Sequence, residues 1–309
     1  MSGHALTFEG VSKRYTSRGP LALDDVSFHV PRGSITGFVG HNGAGKTTAF
    51  SLVAGFLRPD AGSVDILGRG GFDPYVMKGV LGVLPQDAEL PDRHTPRELL
   101  RHLCRLQGWT AGDAATEADR VLDIVRLTDR RDARIHTFSH GMRRRVAVAS
   151  ALVGAPPLVL LDEPLSGLDP VQQHALRDAL AQLRGQQTLV ISSHDLDDLE
   201  RISDWVVMLK QGRCLRQGPI ADVTGSKHLC SWRVSSPERV PLAVLTERLP
   251  EHRFTLRDDV LLEEAPSDGD LDQSSVVVMG LLAASAVPLR SVRRGVGLEQ
   301  RFLDDVREG

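Results

Sequence analysis

Apolar runs that alternate with helical patterns dominate two parts of the chain. Residues 1–86 contain three strand patterns separated by turns, ALTFEGVSKRY, ALDDVSFHV and SITGFVG. Residues 156–223 contain the nearly continuous apolar runs LVLLD and TLVISSH, with the helical pattern QQHALRDALAQLRG between them. Because such strands must be buried on both faces, this alternation predicts an α/β fold with a parallel sheet core.

The stretch between these two parts, residues 87–155, favours helices and is poor in strand patterns. Its segment PRELLRHLCRLQGW has Leu99, Leu103 and Leu106 at the spacing i, i+4 and i+7, which predicts one apolar helix face. We therefore expect a helical subdomain inserted between the two strand-rich parts.

The pattern changes again after Thr224. Strand, helix, two strands around Arg257-Asp258-Asp259, helix and strand follow in turn, and LEQRFLDDVRE closes the chain as a helix. The order β-α-β-β-α-β predicts a small α+β domain of the ferredoxin-like kind. The expected domains are thus residues 1–223, with the helical subdomain at about 87–155, and residues 224–309.

Composition narrows the class of protein. The 309 residues are 41% hydrophobic and 25% charged, with a formal net charge of −3, so nothing in the bulk indicates nucleic-acid binding. Cys104, Cys214 and Cys230 are scattered, which argues against a disulfide framework or a zinc site and favours packing roles.

No signal-peptide pattern or membrane span is expected. The N-terminal residues lack a basic region followed by an apolar core, and the longest nearly apolar run, Val276–Val287, is shorter than the roughly 20 residues that cross a bilayer. The chain is expected to be soluble on its own, so any membrane part would be another polypeptide.

The segment GHNGAGKT, residues 40–47, matches the phosphate-binding pattern G-x-x-x-x-G-K-[ST] between a predicted strand and a predicted helix. Glycines let the backbone N–H groups approach phosphate, Lys46 reaches the β- and γ-phosphates, and Thr47 binds Mg²⁺. A glycine-rich turn with an incidental lysine is the alternative. The predicted nucleotide ligands here are Gly40, His41, Asn42, Gly43, Ala44, Gly45, Lys46, Thr47 and Thr48.

The segment LVLLDEP ends an apolar strand in two acids, Asp162 and Glu163. The first is placed to hold Mg²⁺ and the second to polarise a water molecule. A third segment, FSHGM, puts Ser139 and Gly141 at the start of a predicted helix, which is a second place suited to an anion. The arginines at 143–145 that follow are expected to pair with acids or to stay solvated.

Together these segments resemble the ATP-binding cassette (ABC) ATPase family. The glycine loop, Gln86, FSHGM, LVLLDEP, SGLDP and His194 occur in that family's order and at about its spacing, over roughly residues 5–222. The resemblance implies an ABC cassette of the P-loop NTPase class that hydrolyses ATP with Mg²⁺.

The resemblance also implies a role for each matching residue. Tyr15 would stack on adenine, although a core strand tyrosine is the alternative. Gln86 would touch Mg²⁺ and the attacking water, so that the implied metal ligands are Thr47, Gln86 and Asp162. Glu163 would be the general base and His194 the switch residue near the γ-phosphate.

In this family two cassettes pair head to tail. The resemblance implies that Ser139 and Gly141 close over the nucleotide held by the partner's Lys46, and that Asp169 of SGLDP crosses between the protomers. The usual form of the turn is LSGGQ, and here His140 replaces the central glycine. We associate this form with ABC-2-type exporters. His140 either contacts phosphate or points to solvent, and pairing with His136 on a metal is disfavoured.

The resemblance implies a peripheral subunit, cytoplasmic and on the inner face of the cell membrane. Two copies would form a homodimer on a separate ABC-2-type permease, with no nucleic-acid partner. The ending VGLEQRFLDDV is similar to that of exporter ATPases, which favours export. The alternatives are the ATPase of an importer or membrane-extraction machine and, less favoured, a soluble ABC ATPase that acts on ribosomes or DNA.

Overall fold

The computed structural model describes residues 3–225 and 228–308. They form two compact units, which divide between Gln217 and Gly218. The first unit contains the strands β1 His4–Arg14, β2 Leu21–Pro31, β3 Ile35–Val39, β4 Ala61–Ile66, β5 Leu81–Leu84, β6 Leu158–Asp162, β7 Thr188–Ser192 and β8 Trp205–Lys210, and most of β9 Arg213–Pro219, whose last two residues fall past the division. Its helices are α1 Lys46–Val53, α2 Pro96–Leu106, α3 Ala111–Ile124, α4 His140–Leu152, α5 Pro170–Ala181 and α6 Leu196–Ile202.

A six-stranded sheet in the order β5-β6-β7-β3-β8-β9 forms the centre of this unit. The pairs β5–β6, β6–β7, β7–β3 and β3–β8 are parallel, as the apolar strand patterns predict. Every residue of β3, β6 and β7 is buried. The carboxyl ends of β3, β6 and β7 therefore share one edge, where the chemical motifs of the sequence begin.

A second, antiparallel sheet in the order β2-β1-β4 belongs to the same core. Phe8 and Phe28 stack across β1 and β2 with their ring centroids 4.4 Å apart. Phe38 of β3 lies 5.5 Å from both Phe28 and Phe50 of α1. This row of aromatic rings joins the antiparallel sheet to the strand and helix that flank the glycine loop.

The region after Gln86 contains α2, α3 and α4, and no strand is present among residues 87–155, all of which are described. Thr95 and Glu98 form a capping box at the start of α2. The predicted apolar face of α2 is partly wrong, because Leu106 is 63% exposed. The buried stripe runs instead through Leu100 and Cys104, one residue further along the helix.

The second unit contains the elements α7 Ile220–Thr224, β10 Leu229–Val234, α8 Leu242–Arg248, β11 Arg253–Arg257, β12 Val260–Glu264, α9 Asp268–Ala284, β13 Leu289–Arg294 and α10 Leu298–Glu308. From β10 to α10 they follow the order that the sequence predicts, and the sheet order is β11-β12-β10-β13 with antiparallel pairing throughout. The ferredoxin-like assignment stays a prediction. Among the described helices, α9 included, none is long and apolar enough to cross a membrane.

Candidate nucleotide site

The glycine loop lies between β3 and α1, and close packing requires two of its glycines. A Cβ at Gly40 would lie 2.7 Å from the carbonyl oxygen of Leu209. Gly45 has a φ of 107°, and a Cβ there would lie 2.6 Å from Cδ2 of Leu23. Gly43 differs, since it has a φ of 81° but a Cβ there would meet nothing within 4 Å. The loop is thus held tightly at its base and is open at Gly43.

The N-terminus of α1 is left for a ligand. Across its described residues, helix α1 has no side-chain cap and no acidic residue in its first turn. Lys46 Nζ donates to the carbonyl oxygens of Gly40 and, at 3.4 Å, His41. Burial lowers the pKa of Lys46, and the charges of Glu163 and Asp162 oppose that shift. An anion here would meet uncapped N–H groups and an ammonium group together.

Asp162 ends β6 with a carboxylate that is only 4% exposed. Ser192, at the end of the neighbouring β7, donates its hydroxyl hydrogen to Asp162 Oδ1. Burial raises the pKa of Asp162, and the hydrogen bond from Ser192 works against this. Thr47 and Gln86 line the same cavity as this carboxylate. Hydroxyl, amide and carboxylate oxygens are ligands suited to Mg²⁺, so the donor set fits the metal.

Glu163 occupies a left-handed backbone conformation with a φ of 53°, which is unfavourable for a residue with a side chain. Hydrogen bonds hold its backbone on both sides: its N–H donates to Ser192 Oγ at 3.0 Å and its carbonyl accepts from Arg144 at 2.9 Å. The carboxylate lies 2.7 Å from Nδ1 of His194, which follows β7. The structure therefore brings together the two residues predicted to be base and switch.

A cavity of about 420 Å³ joins these groups. Tyr15 stands at its side with 63% of its surface exposed, and its hydroxyl lies 3.0 Å from Thr48 Oγ1, so it is not a core tyrosine. The lining residues are Tyr15, Ala22, His41, Asn42, Gly43, Gly45, Lys46, Thr47, Thr48, Gln86, Asp162 and Glu163. Among described residues that were predicted for the site, those outside this lining are Gly40, Ala44, Ser139, His140, Gly141, Asp169 and His194.

The FSHGM turn lies in the first unit, but its residues do not line the nucleotide cavity. Ser139 is the N-cap of α4, and its Oγ accepts the N–H of Met142 at 3.3 Å. Gly141 is buried, and a Cβ there would lie 2.9 Å from Cδ2 of Leu168 in the SGLDP segment. The exposed His140 lies so close to Gly167 that a Cβ on Gly167 would overlap its ring. The turn therefore packs on the SGLDP segment of its own chain.

Asp169 caps the next helix. Its Oδ1 accepts the N–H of Gln172 at 2.9 Å at the start of α5, and its side chain is exposed. The structure thus gives this residue a capping role within its own chain. The predicted role between two protomers stays a prediction.

The arginines at 143–145 behave differently from one another. Arg143 pairs with Asp92 at 2.9 Å, as expected. Arg144 is only 9% exposed, and it donates to the backbone carbonyls of Gln86, at 3.1 Å, Asp162 and Glu163. The expectation of an acid partner or of solvent was therefore wrong for Arg144.

The position of Arg144 beside the nucleotide cavity was not predicted from the sequence. Burial lowers its pKa, although a guanidinium stays protonated in any accessible range. A signal was present: Gly141, Arg144, Val148 and Leu152 fall on the buried stripe of α4. Arg145 also departs from the expectation, because it donates to the carbonyls of Val125 and Arg126 at 3.3 Å.

Histidine 136 gives no support to a metal pair with His140. Its Nδ1 lies 3.3 Å from the carbonyl oxygen of Asp92. Within the described part of the chain, no group of three or more His, Cys, Asp or Glu side chains could hold a metal ion.

Several known proteins are similar to this chain in sequence or in fold. A family model described as "ABC transporter" matches residues 23–166. The chain is 33% identical over 274 residues to the Nod factor export ATP-binding protein I of Burkholderia thailandensis, covering 84% of this chain and 88% of that protein. It is 36% identical over 209 residues to the human phospholipid-transporting ATPase ABCA7, covering 67% of this chain but only 10% of that protein.

A solved structure of an ATP-binding subunit of an ABC transporter superposes with a TM-score of 0.64 at 29% identity, covering 72% of this chain and 92% of that one. The likeness to these relatives therefore holds in both sequence and fold. The chain therefore belongs to the ATP-binding proteins of the ABC transporter family, which bind and hydrolyse ATP.

Proposed function

We propose that this chain is the ATP-hydrolysing subunit of an ABC-2-type exporter. Two copies dimerise head to tail on a separate membrane permease at the inner face of the cell membrane and drive export of a substrate. Two relatives are named as a Nod factor export protein and a phospholipid-transporting ATPase, and these names support export as the activity.

The proposal of a dimer is supported by the position of the FSHGM turn. In the described structure, the residues that line the nucleotide cavity do not include Ser139, His140 or Gly141. Ser139 Oγ accepts a backbone N–H, which leaves its own hydrogen to donate to an anion outside the chain. An exposed serine at a helix N-terminus suits a phosphate brought by a second copy.

Binding of ATP follows from the cavity. The N–H groups of the loop around Gly43 and the Lys46 ammonium group hold the phosphates, and the exposed ring of Tyr15 stacks on adenine. Thr47, Gln86 and Asp162 would hold Mg²⁺, which would supply positive charge to the site when bound. The carboxylate of Asp162 would be better stabilised in its ionised form beside such a charge, which offsets the penalty of its burial.

Hydrolysis follows from Glu163. Its carboxylate accepts a proton from a water molecule as the water oxygen attacks the γ-phosphorus and the bond to the bridging oxygen of ADP breaks. His194 holds the carboxylate in place through its Nδ1 hydrogen, which requires the tautomer protonated at Nδ1. The fixed backbone of Glu163 keeps the base at one position while the products, ADP and phosphate, separate.

The experiment for this proposal uses Glu163→Gln. The amide keeps the shape of the side chain but cannot accept the proton, so turnover falls about 10²- to 10⁴-fold while ATP still binds. With saturating ATP and Mg²⁺ the variant should sediment as a dimer, since the shared nucleotide is not consumed. The matched control is Glu238→Gln, on the exposed surface of the second unit, which should keep wild-type turnover.

A Glu163→Gln chain that binds ATP and stays monomeric would contradict the head-to-tail dimer. The permease is tested separately, by purifying the tagged chain from detergent-solubilised membranes of its source. A protein of several membrane spans at about one-to-one stoichiometry is the expected partner. Recovery with ribosomal proteins or nucleic acid alone would contradict the exporter.

A further inference from the structure

The second unit contains a cavity of about 410 Å³ that the nucleotide chemistry does not use. Alternate residues of its sheet, such as Trp232 and Leu261, are fully buried in a core with Val278 and Leu282 of α9. The other residues of the same strands lie on the opposite face of the sheet, where the cavity is found. Its volume lies in the range of pockets that bind small molecules.

The strand register places the lining of this cavity in two rows across the sheet. Arg257, Val260, Arg233 and Ser291 are successive partners on β11, β12, β10 and β13. The next row, in the same strand order, is Thr255, Leu262, Ser231 and Arg293, of which the last three line the cavity. Directly paired residues share a face, so apolar Val260 and Leu262 form the middle of this surface, and Arg257 and Arg233 lie on either side of Val260.

The lining of the cavity carries three arginines, Arg233, Arg257 and Arg293, against two carboxylates, Asp258 and Asp259. Among the described residues, the guanidinium group of Arg257 makes no ion pair or hydrogen bond. Arg233 lies 3.7 Å from Asp259, beyond hydrogen-bond distance, and Asp259 is also 3.6 Å from Arg290. Since strands are spaced about 4.8 Å apart, the backbones of Arg233 and Arg257 are separated by roughly 10 Å, which one anionic group between their side chains can bridge.

We propose that this cavity binds a small organic anion, a carboxylate or phosphate ester with an apolar body. Arg233 and Arg257 hold the anionic group, and the apolar body lies on Val260 and Leu262. Neither row contains an aromatic side chain on which a nucleic-acid base would stack. Gln300 of α10 lines the cavity as well, so a bound ligand contacts the final helix of the chain. The site is independent of the export proposal.

The test is calorimetric titration of the full chain with hexyl phosphate, with the nucleotide site filled by ADP so that it does not take up the probe. We expect one site per chain with a Kd of about 0.1–1 mM. Inorganic phosphate and hexanol should each bind at least about tenfold more weakly, because each keeps only half of the recognition. Dihexanoyl phosphatidate binding more tightly than hexyl phosphate would indicate a lipid ligand, and weaker binding a single-chain metabolite.

Two variants locate the site. Arg233→Ala/Arg257→Ala should weaken hexyl phosphate binding at least about tenfold, and Val260→Glu should abolish it by filling the cavity with negative charge. The control, Arg239→Ala/Arg248→Ala, removes two exposed arginines of the same unit that do not line the cavity. The circular dichroism spectrum and thermal unfolding of each variant show whether it is folded.

The proposal is overturned by wild-type protein that shows no saturation with hexyl phosphate, hexanoate or hexyl sulfate up to about 5 mM. It is equally overturned if the cavity variants bind as well as the control. Concentration-dependent association of wild-type chains that Arg233→Ala/Arg257→Ala removes, without ligand binding, would instead assign this face to a second copy.

Discussion

Helices α1 and α4 begin in opposite ways, although both N-termini are expected to face phosphate. Helix α1 starts from Gly45 in a left-handed conformation with no side-chain cap, and Lys46 is its first residue. Helix α4 starts from Ser139, whose hydroxyl already caps Met142. The first N-terminus opens into the nucleotide cavity, while Ser139 lies outside its lining.

This difference concerns how the N–H groups of each helix N-terminus are satisfied when no phosphate is bound. An uncapped N-terminus leaves unsatisfied N–H groups, which is tolerable where phosphate is normally bound or water enters. A serine cap keeps its helix stable without any ligand and still has one hydrogen to donate. An N-terminus that meets its phosphate only when a second chain arrives needs that combination.

The largest expected effect is on ATP affinity, from a substitution at the start of α1. Lys46→Ala should weaken ATP binding to the monomer about 1000-fold, since the ammonium is expected to make charge-assisted hydrogen bonds to two phosphates. Equilibrium binding of a fluorescent ATP analogue measures this. The control is Lys78→Ala, an exposed lysine that does not line the cavity. Unchanged affinity in Lys46→Ala would mean that the loop does not hold the phosphates.

The next effect is on dimerisation and hydrolysis, from a substitution at the start of α4. Ser139→Asp should keep the cap, because aspartate caps helices as well as serine does, but it replaces a donor by a negative charge. We expect unchanged ATP affinity of the monomer, no ATP-dependent dimer in the Glu163→Gln background, and hydrolysis reduced about 100-fold. Ser139→Thr is the control that keeps both cap and donor. Loss of affinity in the monomer would place Ser139 in its own chain's site.

Arg144 links α4 to the lining of the nucleotide cavity, because it donates to the backbone carbonyls of Gln86, Asp162 and Glu163. Arg144→Met leaves three carbonyl groups without their donor. We expect the free energy of unfolding to fall by about 3 kcal/mol and kcat to fall about tenfold with KM unchanged. Arg143→Met, which breaks a surface pair with Asp92, is the control and should change both values little.

A split between kcat and KM separates positioning from simple loss of stability, since assays are done well below the unfolding temperature. If Arg144→Met lowered stability but left kcat unchanged, the guanidinium would be structural only.

The smallest expected change is in the free energy of unfolding, and it concerns the buried carboxylate of Asp162. Burial raises the pKa of Asp162, so the folded chain binds this proton more tightly than the unfolded chain does. The stability that this gives is present at acid pH and is lost as the pH rises through the folded-state pKa. Asp162→Asn should therefore raise the free energy of unfolding of the nucleotide-free chain by about 1 kcal/mol at pH 8, with a smaller gain at pH 5.

Urea unfolding at the two pH values measures this gain, and Asp197→Asn on the surface of α6 is the control. An equal gain at both pH values would show that ionisation of Asp162 is not its cause. Activity should be lost in Asp162→Asn although the fold is more stable, which is the usual relation between a binding site and stability.

The parallel sheet and the glycine loop were predictable because each depends on local pattern. Apolar runs such as LVLLD can only be buried strands here, and the spacing of glycines with Lys46 has few other uses. The apolar runs LVLLD and TLVISSH end beside Asp162, Glu163 and His194, and the parallel pairing of β6 with β7 in the structure places these residues at one edge of the sheet.

Arg144 and Leu106 were harder for one physical reason, which is helix phase. Three successive arginines look alike in sequence, and only the direction of the apolar stripe of α4 decides that Arg144 points inward. On α2 a shift of one residue moved the buried stripe to Leu100 and Cys104 and left Leu106 exposed. The cavity of the second unit needed strand register, which short windows do not provide.

The hydrogen bond between Tyr15 and Thr48 has a consequence for spectroscopy. The chain contains only two tyrosines, and the other, Tyr75, is exposed outside the cavity lining. A sample labelled with fluorotyrosine would give two resonances, one from the nucleotide site and one from the surface as an internal reference. A shift of the Tyr15 resonance would then report both adenine binding and any change in the hydrogen bond to Thr48, without a mutation or an added dye.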